Sequence, residues 1–449
     1  MHGNIERTDN EAMAATIASP IATSGEVFSD GSTIEVIGDF HYGNPGLMLW
    51  DGGKETIGSV VEYKQRLYKS APIKSSILQE LTLPTRSCAH GTTREFLAEI
   101  CRLISNFSGL PGKAAFLTGR IVLCSALIDA LPMAPTLTIT GPDPARGNQL
   151  LALLRCICRH SLPLTGVTPA GFCSLANGPR FTYLISQSSI SDKLKKLLDD
   201  ASSRDRKIPF RGGLLDLFGV RVIHCDSTLG SDSWPLQSIQ VSMIPTGAEL
   251  PAFDLETQCE IKKEFQAKLL SFRRANLGTA RRLEFDVSRF TFELRDLARS
   301  IAVATPDDTT LQADVLYLLR EEDAEIRDQR WLGLAGIATE TILVAWSESP
   351  GGSFYISELA VSAQELFRRR GQEMKIDPGL FGKILRQLGF TTEPRDARGK
   401  KLKVTEAIYA RARQLARDFG VPEIENDRPE GREDLRYVSA AEPRHVQGV

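Results

Sequence analysis

The pattern of hydrophobic and polar positions divides the 449 residues of this chain into six regions. Residues 1–32 are small and polar, which predicts a disordered arm. Over residues 33–82, short runs of alternating hydrophobicity are separated by Gly, Asn and Asp. That pattern predicts a small antiparallel β meander, because alternation with period two gives a strand one buried face.

Residues 83–256 alternate helical patterns with short apolar runs, which predicts an α/β domain with a mainly parallel sheet. We expect strands at residues 136–140, 181–186, 219–225 and 236–244. We expect helices at residues 93–107, 113–131, 148–159 and 191–201. Residues 257–350 are charged and helical, and the polar residues 422–449 predict a disordered tail.

Residues 353–421 predict a winged-helix domain. A helical pattern over residues 357–371 is followed by Asp377 and Pro378, an N-cap with Pro at the first helical position. The second helix ends before Gly389, and two extended arms around a turn-rich centre (FTTEP, RDARG, KKLKV) predict a β-hairpin wing. A closing helix begins after Thr405.

Charge concentrates in this C-terminal region, although the whole chain has a formal net charge of only −2. Residues 353–420 hold 14 Lys and Arg against 8 Asp and Glu. Clustered cations of this kind contact phosphates and give salt-dependent binding to nucleic acid. We therefore predict DNA as the partner, bound by Lys383, Arg386, Arg395, Arg398, Lys400, Lys401 and Lys403. The alternative is a protein-interaction domain whose basic wing is only solvated.

A candidate nucleotide site follows the first predicted strand of the α/β domain. The order strand, glycine-rich loop (GPDPARG) and helix is that of a phosphate-binding loop, in which backbone N–H groups hold phosphate oxygens. The nucleotide-binding candidates are Gly141, Arg146, Gly147, Asn148 and Gln149. However, Asn148 stands where Lys is needed, and Gln149 where a Ser or Thr would bind Mg²⁺.

The next predicted strand, which should end in acidic residues that hold magnesium, ends instead in Ser186, Gln187, Ser188 and Ser189. The phosphate and metal machinery are thus altered together. Three interpretations stay open: a turn in another α/β domain, a relic that no longer hydrolyses nucleotide, or a working ATPase in which Arg146 replaces the Lys. Neither ATP nor Mg²⁺ is expected as a cofactor under the second interpretation.

Residues 83–250 resemble the helicase-like P-loop ATPase domain of primase-helicase proteins of phages, plasmids and other mobile elements. The resemblance is carried by TITGPDPARGNQLL, LTGVTPAGFCSL, the strand at 181–189 and WPLQSIQVSMIP. Winged helices similar to residues 353–421 stand at the C-termini of the same proteins. The resemblance implies a P-loop NTPase-like core of RecA or AAA+ type, joined to the small β meander, the helical region and the winged helix.

Eight dispersed cysteines show no paired spacing typical of a zinc site, so no metal site is predicted. They suit a reducing cytoplasm, and no run of about 18 apolar residues is present to cross a membrane. We therefore expect a cytoplasmic protein with no membrane partner.

The sequence is consistent with three functions. The first is a DNA-binding protein of replication or mobile-element type on a catalytically degenerate ATPase-like scaffold, which would not be an enzyme. The second is an active DNA-dependent ATPase or helicase with an atypical loop. The third is an assembly or interaction scaffold that forms homo-oligomers.

Overall fold

The computed structural model describes residues 19–38, 45–175, 178–225, 238–245 and 250–421. The chain divides into two compact units, Met1–Asp323 and Ala324–Val449, which are described separately below. This division differs from the boundary near residue 350 that the sequence predicts. The expected tail, and most of the expected N-terminal arm, lie outside the described residues.

The first seven strands form two small sheets. The strands are β1 (Ile21–Thr23), β2 (Glu26–Val27), β3 (Thr33–Ile37), β4 (Gly46–Asp51), β5 (Lys54–Gly58), β6 (Val60–Tyr63) and β7 (Arg66–Ser70). One sheet is the antiparallel meander β2–β3–β4–β5, and the other has the order β1–β7–β6 with β1 parallel to β7. The prediction of a disordered arm is therefore wrong for β1 and β2. Pairing of β1 with a strand so distant in sequence leaves no local signal.

The β region is continuous with the core of the first unit. Side chains of β3 and β4, including Ile34 and Leu47, pack in one buried cluster with Phe172 and Ile185 of the α/β domain. Burying these apolar side chains removes them from water, which favours docking of the β region. The boundary predicted at residues 82 and 83 is not a division between compact units.

A buried charge network also ties the β region to the α/β domain. The Glu35 carboxylate of β3 pairs with Arg159 at 2.5 Å and with Arg273. Arg273 also pairs with Asp129 at 2.6 Å. Burial alone would raise the pKa of Glu35, but the two guanidinium charges outweigh it and lower that pKa to about 2. Each buried charge therefore has a partner, as its desolvation requires.

Helices α1 (Ser75–Glu80), α2 (Thr93–Ser108) and α3 (Gly112–Ala126) follow the β region. The start of α2 is fixed by a capping box, in which Thr92 and Glu95 exchange side-chain and backbone hydrogen bonds. The helix predicted at residues 93–107 is present, and Phe96, Ile100 and Ile104 on its apolar face are fully buried.

The centre of the first unit is a parallel five-stranded sheet with helices between its strands. In chain order these elements are β8 (Thr136–Thr140), α4 (Pro144–Ile157), β9 (Ser161–Thr165), α5 (Pro169–Cys173), β10 (Thr182–Gln187), α6 (Asp192–Asp200), β11 (Ile208–Phe210), β12 (Gly213–Leu215), β13 (Arg221–Cys225) and β14 (Ser238–Ser242). The sheet order is β14–β8–β13–β10–β9, and all its pairings are parallel. The prediction of an α/β fold is confirmed.

Two details of this sheet differ from the sequence prediction. The edge strand β9 was not expected, because its sequence (SLPLT) contains Pro and directly follows a helix. Helix α4 begins at Pro144 rather than at Asn148. The short strands β11 and β12 form a separate antiparallel hairpin.

The helical region predicted after residue 256 is present. It consists of α7 (Leu255–Ala280), a 3-10 turn (Phe292–Leu294), α8 (Arg295–Val303), α9 (Thr309–Leu318) and α10 (Arg320–Leu332). The fully buried Arg120 of α3 donates hydrogen bonds to the backbone oxygens of Ile301 and Leu311, so it ties α3 to this region.

The second unit begins within α10 and goes on with α11 (Leu334–Glu348), β15 (Ser353–Tyr355), α12 (Ile356–Arg369), α13 (Pro378–Gln387), β16 (Lys401–Lys403) and α14 (Glu406–Phe419). This order, helix–strand–helix–helix–wing–strand–helix, is that of a winged helix. Ile337 and Ile342 of α11 share one buried cluster with Leu359 and Phe381 of α12 and α13. Helix α11 therefore completes the core of the predicted module, which is why the observed division lies before it.

Candidate nucleotide site and nucleic-acid interface

The loop after β8 is shorter than the sequence pattern predicts. Only Gly141 and Pro142 separate β8 from Asp143, which is the N-cap residue of α4. Arg146, Gly147, Asn148 and Gln149 therefore lie in the first turns of a helix and not in a loop. The signal for this was present in the sequence, because Asp143 and Pro144 form the same cap pair that correctly predicted the start of α13.

The helix end that would hold a phosphate is occupied by a carboxylate of the chain itself. Asp143 Oδ1 accepts a hydrogen bond from the backbone N–H of Arg146 at 3.1 Å. Asp143 Oδ2 lies 3.2 Å from Arg146 Nε, and both side chains are at most one-fifth exposed. A phosphate would meet a negative charge here, at a backbone donor that is already satisfied.

The two glycines of the motif are required by packing. Gly141 has a φ of +119°, and a Cβ there would lie 2.4 Å from the backbone oxygen of Met243, which follows β14. A Cβ on Gly147 would lie 2.3 Å from Nε2 of His224 on β13. Both positions thus allow close approach of neighbouring elements of the protein.

Asn148 joins the carboxyl ends of two strands. Its Oδ1 accepts a hydrogen bond from Ser186 Oγ of β10 at 3.2 Å and lies 3.1 Å from His224 Nδ1 of β13. Beside it, the side chain of Gln187 accepts from the Val167 backbone N–H at 3.0 Å. Contacts among Asn148, Ser186 and His224 therefore connect the strand ends where a nucleotide site would place its acidic residues.

His224 belongs to this network, although the sequence did not predict it as a site residue. Its position at the end of a predicted buried strand (GVRVIHC) was the only available signal. Gln149, one residue beyond Asn148, is half-buried on α4.

In the second unit, α13 presents two of the predicted DNA-binding residues. Phe381 and Leu385 are fully buried, whereas Lys383 and Arg386 on the other side of the helix are exposed. Asp377 caps the helix by accepting from the Leu380 backbone N–H at 2.8 Å. Helix α13 is thus fixed by its cap and its apolar face, and it turns its cations to solvent.

The wing is built around Asp396. Its Oδ1 accepts from the backbone N–H groups of Arg398 at 2.8 Å and Gly399 at 3.0 Å. The predicted pairing of the two arms is wrong over most of their length, because β16 pairs with β15 instead. One hydrogen bond, from the Glu393 N–H to the Lys401 oxygen at 2.8 Å, closes the wing at its base.

Lys401 differs from the other predicted contacts. Its Nζ pairs with Asp396 at 3.0 Å and lies 4.6 Å from the centre of the Tyr355 ring. The hydrogen bond from Lys401 is the main cause that lowers the pKa of Asp396 to about 2. Lys401 is therefore engaged within the wing and is less available to a ligand.

The remaining wing cations are exposed. These are Arg395, Arg398, Lys400 and Lys403. Within residues 250–421 and the other described segments, no carboxylate forms an ion pair with them, nor with Lys383 or Arg386. By contrast, Arg370, which the sequence groups with Arg368 and Arg369, pairs with the buried Glu340 and lies over Trp331.

Comparison with known proteins yields structural neighbours alone. No protein-family model and no curated protein matches the sequence. Similar solved structures include the apo C-terminal region of NrS-1 (13% identity, TM-score 0.37), which covers 83% of this chain and 96% of that chain. A full-length MCM homolog from Methanopyrus kandleri has 10% identity and a TM-score of 0.34, with coverage of 64% and 76%. Drosophila ORC bound to DNA has 13% identity and a TM-score of 0.19, with coverage of 70% and 91%.

Among the described helices, none combines the length and the apolar character needed to cross a membrane.

Proposed function

We propose that this protein binds DNA through its winged-helix unit, in a replication or mobile-element role, on an ATPase-like scaffold that does not hydrolyse nucleotide. The observation that carries the proposal is the set of exposed cations on α13 and the wing that have no acidic partner among the described residues. Exposed Lys and Arg side chains without an acidic partner can exchange bound counterions for DNA phosphates.

The geometry after β8 supports the non-hydrolysing part of the proposal. Catalysis of phosphoryl transfer needs a charged cradle for the phosphates and a bound metal. Here Asp143 caps the helix end, and the strand ends are joined by contacts among Asn148, Ser186 and His224, none of which is a carboxylate. We therefore expect no DNA-stimulated ATP hydrolysis, and no effect of Arg146→Ala on any background rate. DNA-stimulated turnover that Arg146→Ala abolishes would overturn this part.

The binding surface is tested by charge reversal in the wing. We expect Arg398→Glu with Lys400→Glu to weaken duplex binding at least tenfold. The double variant should also flatten the plot of log affinity against log salt by about 2, since each phosphate contact contributes about 0.9 to that slope. Fluorescence anisotropy at several salt concentrations measures both quantities.

Arg368→Glu with Arg369→Glu is the matched control, because it changes the net charge equally on α12. Arg368 already pairs with Glu365 at 2.8 Å. This control should lose less affinity than the wing variant and keep the salt slope. Equal losses in the two double variants would mean that the wing is not the contact surface.

A further inference from the structure

A cavity of about 360 Å³ lies in the first unit, away from the region after β8. Its lining includes Arg159, Phe181 and Phe218, which stand shortly before β9, β10 and β13. The cavity is therefore at the amino ends of the parallel strands, whereas Asn148 and His224 lie at the opposite edge of the sheet. Nothing in the proposed function uses this cavity.

Arginine dominates the charged lining of the cavity. Five guanidinium groups line it, from Arg159, Arg180, Arg204, Arg273 and Arg281. Its acidic lining residues are Glu26, Asp129 and Asp216. Asp129 already pairs with Arg180 at 2.9 Å and with Arg273 at 2.6 Å, and Asp216 pairs with Lys207 at 2.7 Å.

Three of these arginines lie near one another. Arg180 and Arg204 both lie over the ring of Phe218, at 5.4 and 5.1 Å from its centre. Arg204 is held in place because it donates to the backbone oxygens of Leu131 and Ile128, each at 2.7 Å. Burial is the main cause that lowers the pKa of Arg204, and the charges of Arg180 and Arg281 lower it further.

Some guanidinium groups of the lining pair with carboxylates, whereas Arg204 is held by backbone oxygens. Arg204 and Arg281 have no such ion pair within the part of the chain that the structure describes. The like charges of Arg180, Arg204 and the exposed Arg281 repel one another, and an anion bound between them would reduce that repulsion. Five positive side chains against three acidic ones leave the lining with a net positive charge that a bound anion can balance.

We propose that this cavity binds the phosphate group of a small phosphorylated molecule of nucleotide size. The planar guanidinium fork matches the geometry of phosphate oxygens. The volume is within the range of small-molecule sites and too small for a folded nucleic-acid segment. The aromatic side chains of Phe181, Tyr183 and Phe218 also line the cavity beside the charges.

The test is calorimetric titration of the full chain with pyrophosphate and, separately, with AMP and ATP. Arg281→Glu is the informative variant, because Arg281 is exposed at the end of α7 and reversing it leaves the buried ion pairs intact. We expect it to raise the dissociation constant at least tenfold. Arg282→Glu is the matched control, an exposed neighbour outside the cavity lining, and should bind as the unmodified chain does.

Arg180→Gln provides a second variant, which should also weaken binding while circular dichroism shows an unchanged fold. The proposal is overturned if pyrophosphate, AMP and ATP give no saturable heat at millimolar concentration, or if Arg281→Glu and Arg282→Glu weaken binding equally. If a ten-nucleotide single strand of DNA without a terminal phosphate displaced pyrophosphate, the cavity would be a nucleic-acid site and the proposal would likewise be overturned. The wing variant Arg398→Glu with Lys400→Glu should leave pyrophosphate binding unchanged. The proposal for this cavity and the proposal for the DNA surface can therefore be tested independently.

Discussion

Gly147 shows how one residue accounts for the geometry of the region after β8. Its missing side chain leaves the space in which the His224 ring packs against α4 and approaches Asn148. Gly147 was predicted to let a phosphate approach the backbone, since a glycine in a loop and a glycine under a packed ring look the same in sequence. The ring that packs on Gly147 belongs to His224, 77 residues later, and only the tertiary fold brings the two together.

We expect Gly147→Ala to lower the free energy of unfolding by about 1 to 3 kcal/mol, because the new Cβ would overlap three atoms of the His224 ring. Gly278→Ala on α7 is the control, since its Cβ would meet nothing within 4 Å. That change should be neutral or stabilise by up to about 1 kcal/mol, as alanine favours a helix. Urea denaturation measures both, and a Gly147→Ala protein as stable as the control would contradict the packing explanation.

At the scale of elements, caps and apolar faces were predictable, and pairings were not. The cap at Asp377, the apolar face of α2 and the order of helices in the second unit follow from local signals. Strand β9 and the partner of β16 do not, because a strand's partner depends on residues far along the chain. For the same reason, the wing was predicted as two paired arms, although β15 supplies the partner strand.

The wing offers a prediction at this scale. Asp396→Asn keeps an oxygen that can accept from Arg398 and Gly399 but removes the charge that holds Lys401. If the wing contacts DNA, Lys401 should become an additional phosphate contact, so the salt slope should steepen by about 1. Anisotropy titrations check this. A slope that stays the same or flattens would place Lys401 away from the DNA.

At the scale of the whole molecule, the division into units was predicted in the wrong place. The apolar run that forms α11 was read as part of the preceding helical region, yet it packs with α12 and α13. Hydrophobic periodicity shows which face of a helix is buried and not which neighbour covers it. The strand order of the α/β sheet was beyond reach for the same reason.

The first unit should lose stability in mild acid because of His160. Burial, and then the charge of Arg159, lower the pKa of this ring to about 3, from an ordinary value of 6.5. Below pH 6.5 the unfolded chain therefore binds a proton that the folded chain does not, so stability falls as the pH falls toward 3. Glu35, with its pKa lowered to about 2, contributes stability that is lost only below about pH 4.5.

When the pH falls from 6.5 to 4.5, the free energy of unfolding of the His160→Asn variant should fall by about 2 to 3 kcal/mol less than that of the unmodified chain. One proton contributes about 1.4 kcal/mol per pH unit. Asn suits this position because the backbone has a φ of +48°, a conformation that Asn adopts readily. Chemical denaturation at the two pH values gives the difference. Identical losses would show that His160 titrates normally in the folded state.

The ion pairs of Glu35 also constrain the order in which the chain assembles during synthesis. The carboxylate is made early, but Arg273, one of its two partners, is 238 residues further along. Until α7 has left the ribosome, docking the β region would bury a negative charge with only part of its compensation, at a cost of several kcal/mol. Nascent chains that end before α7 should therefore keep their first two sheets undocked and exposed to proteases and chaperones.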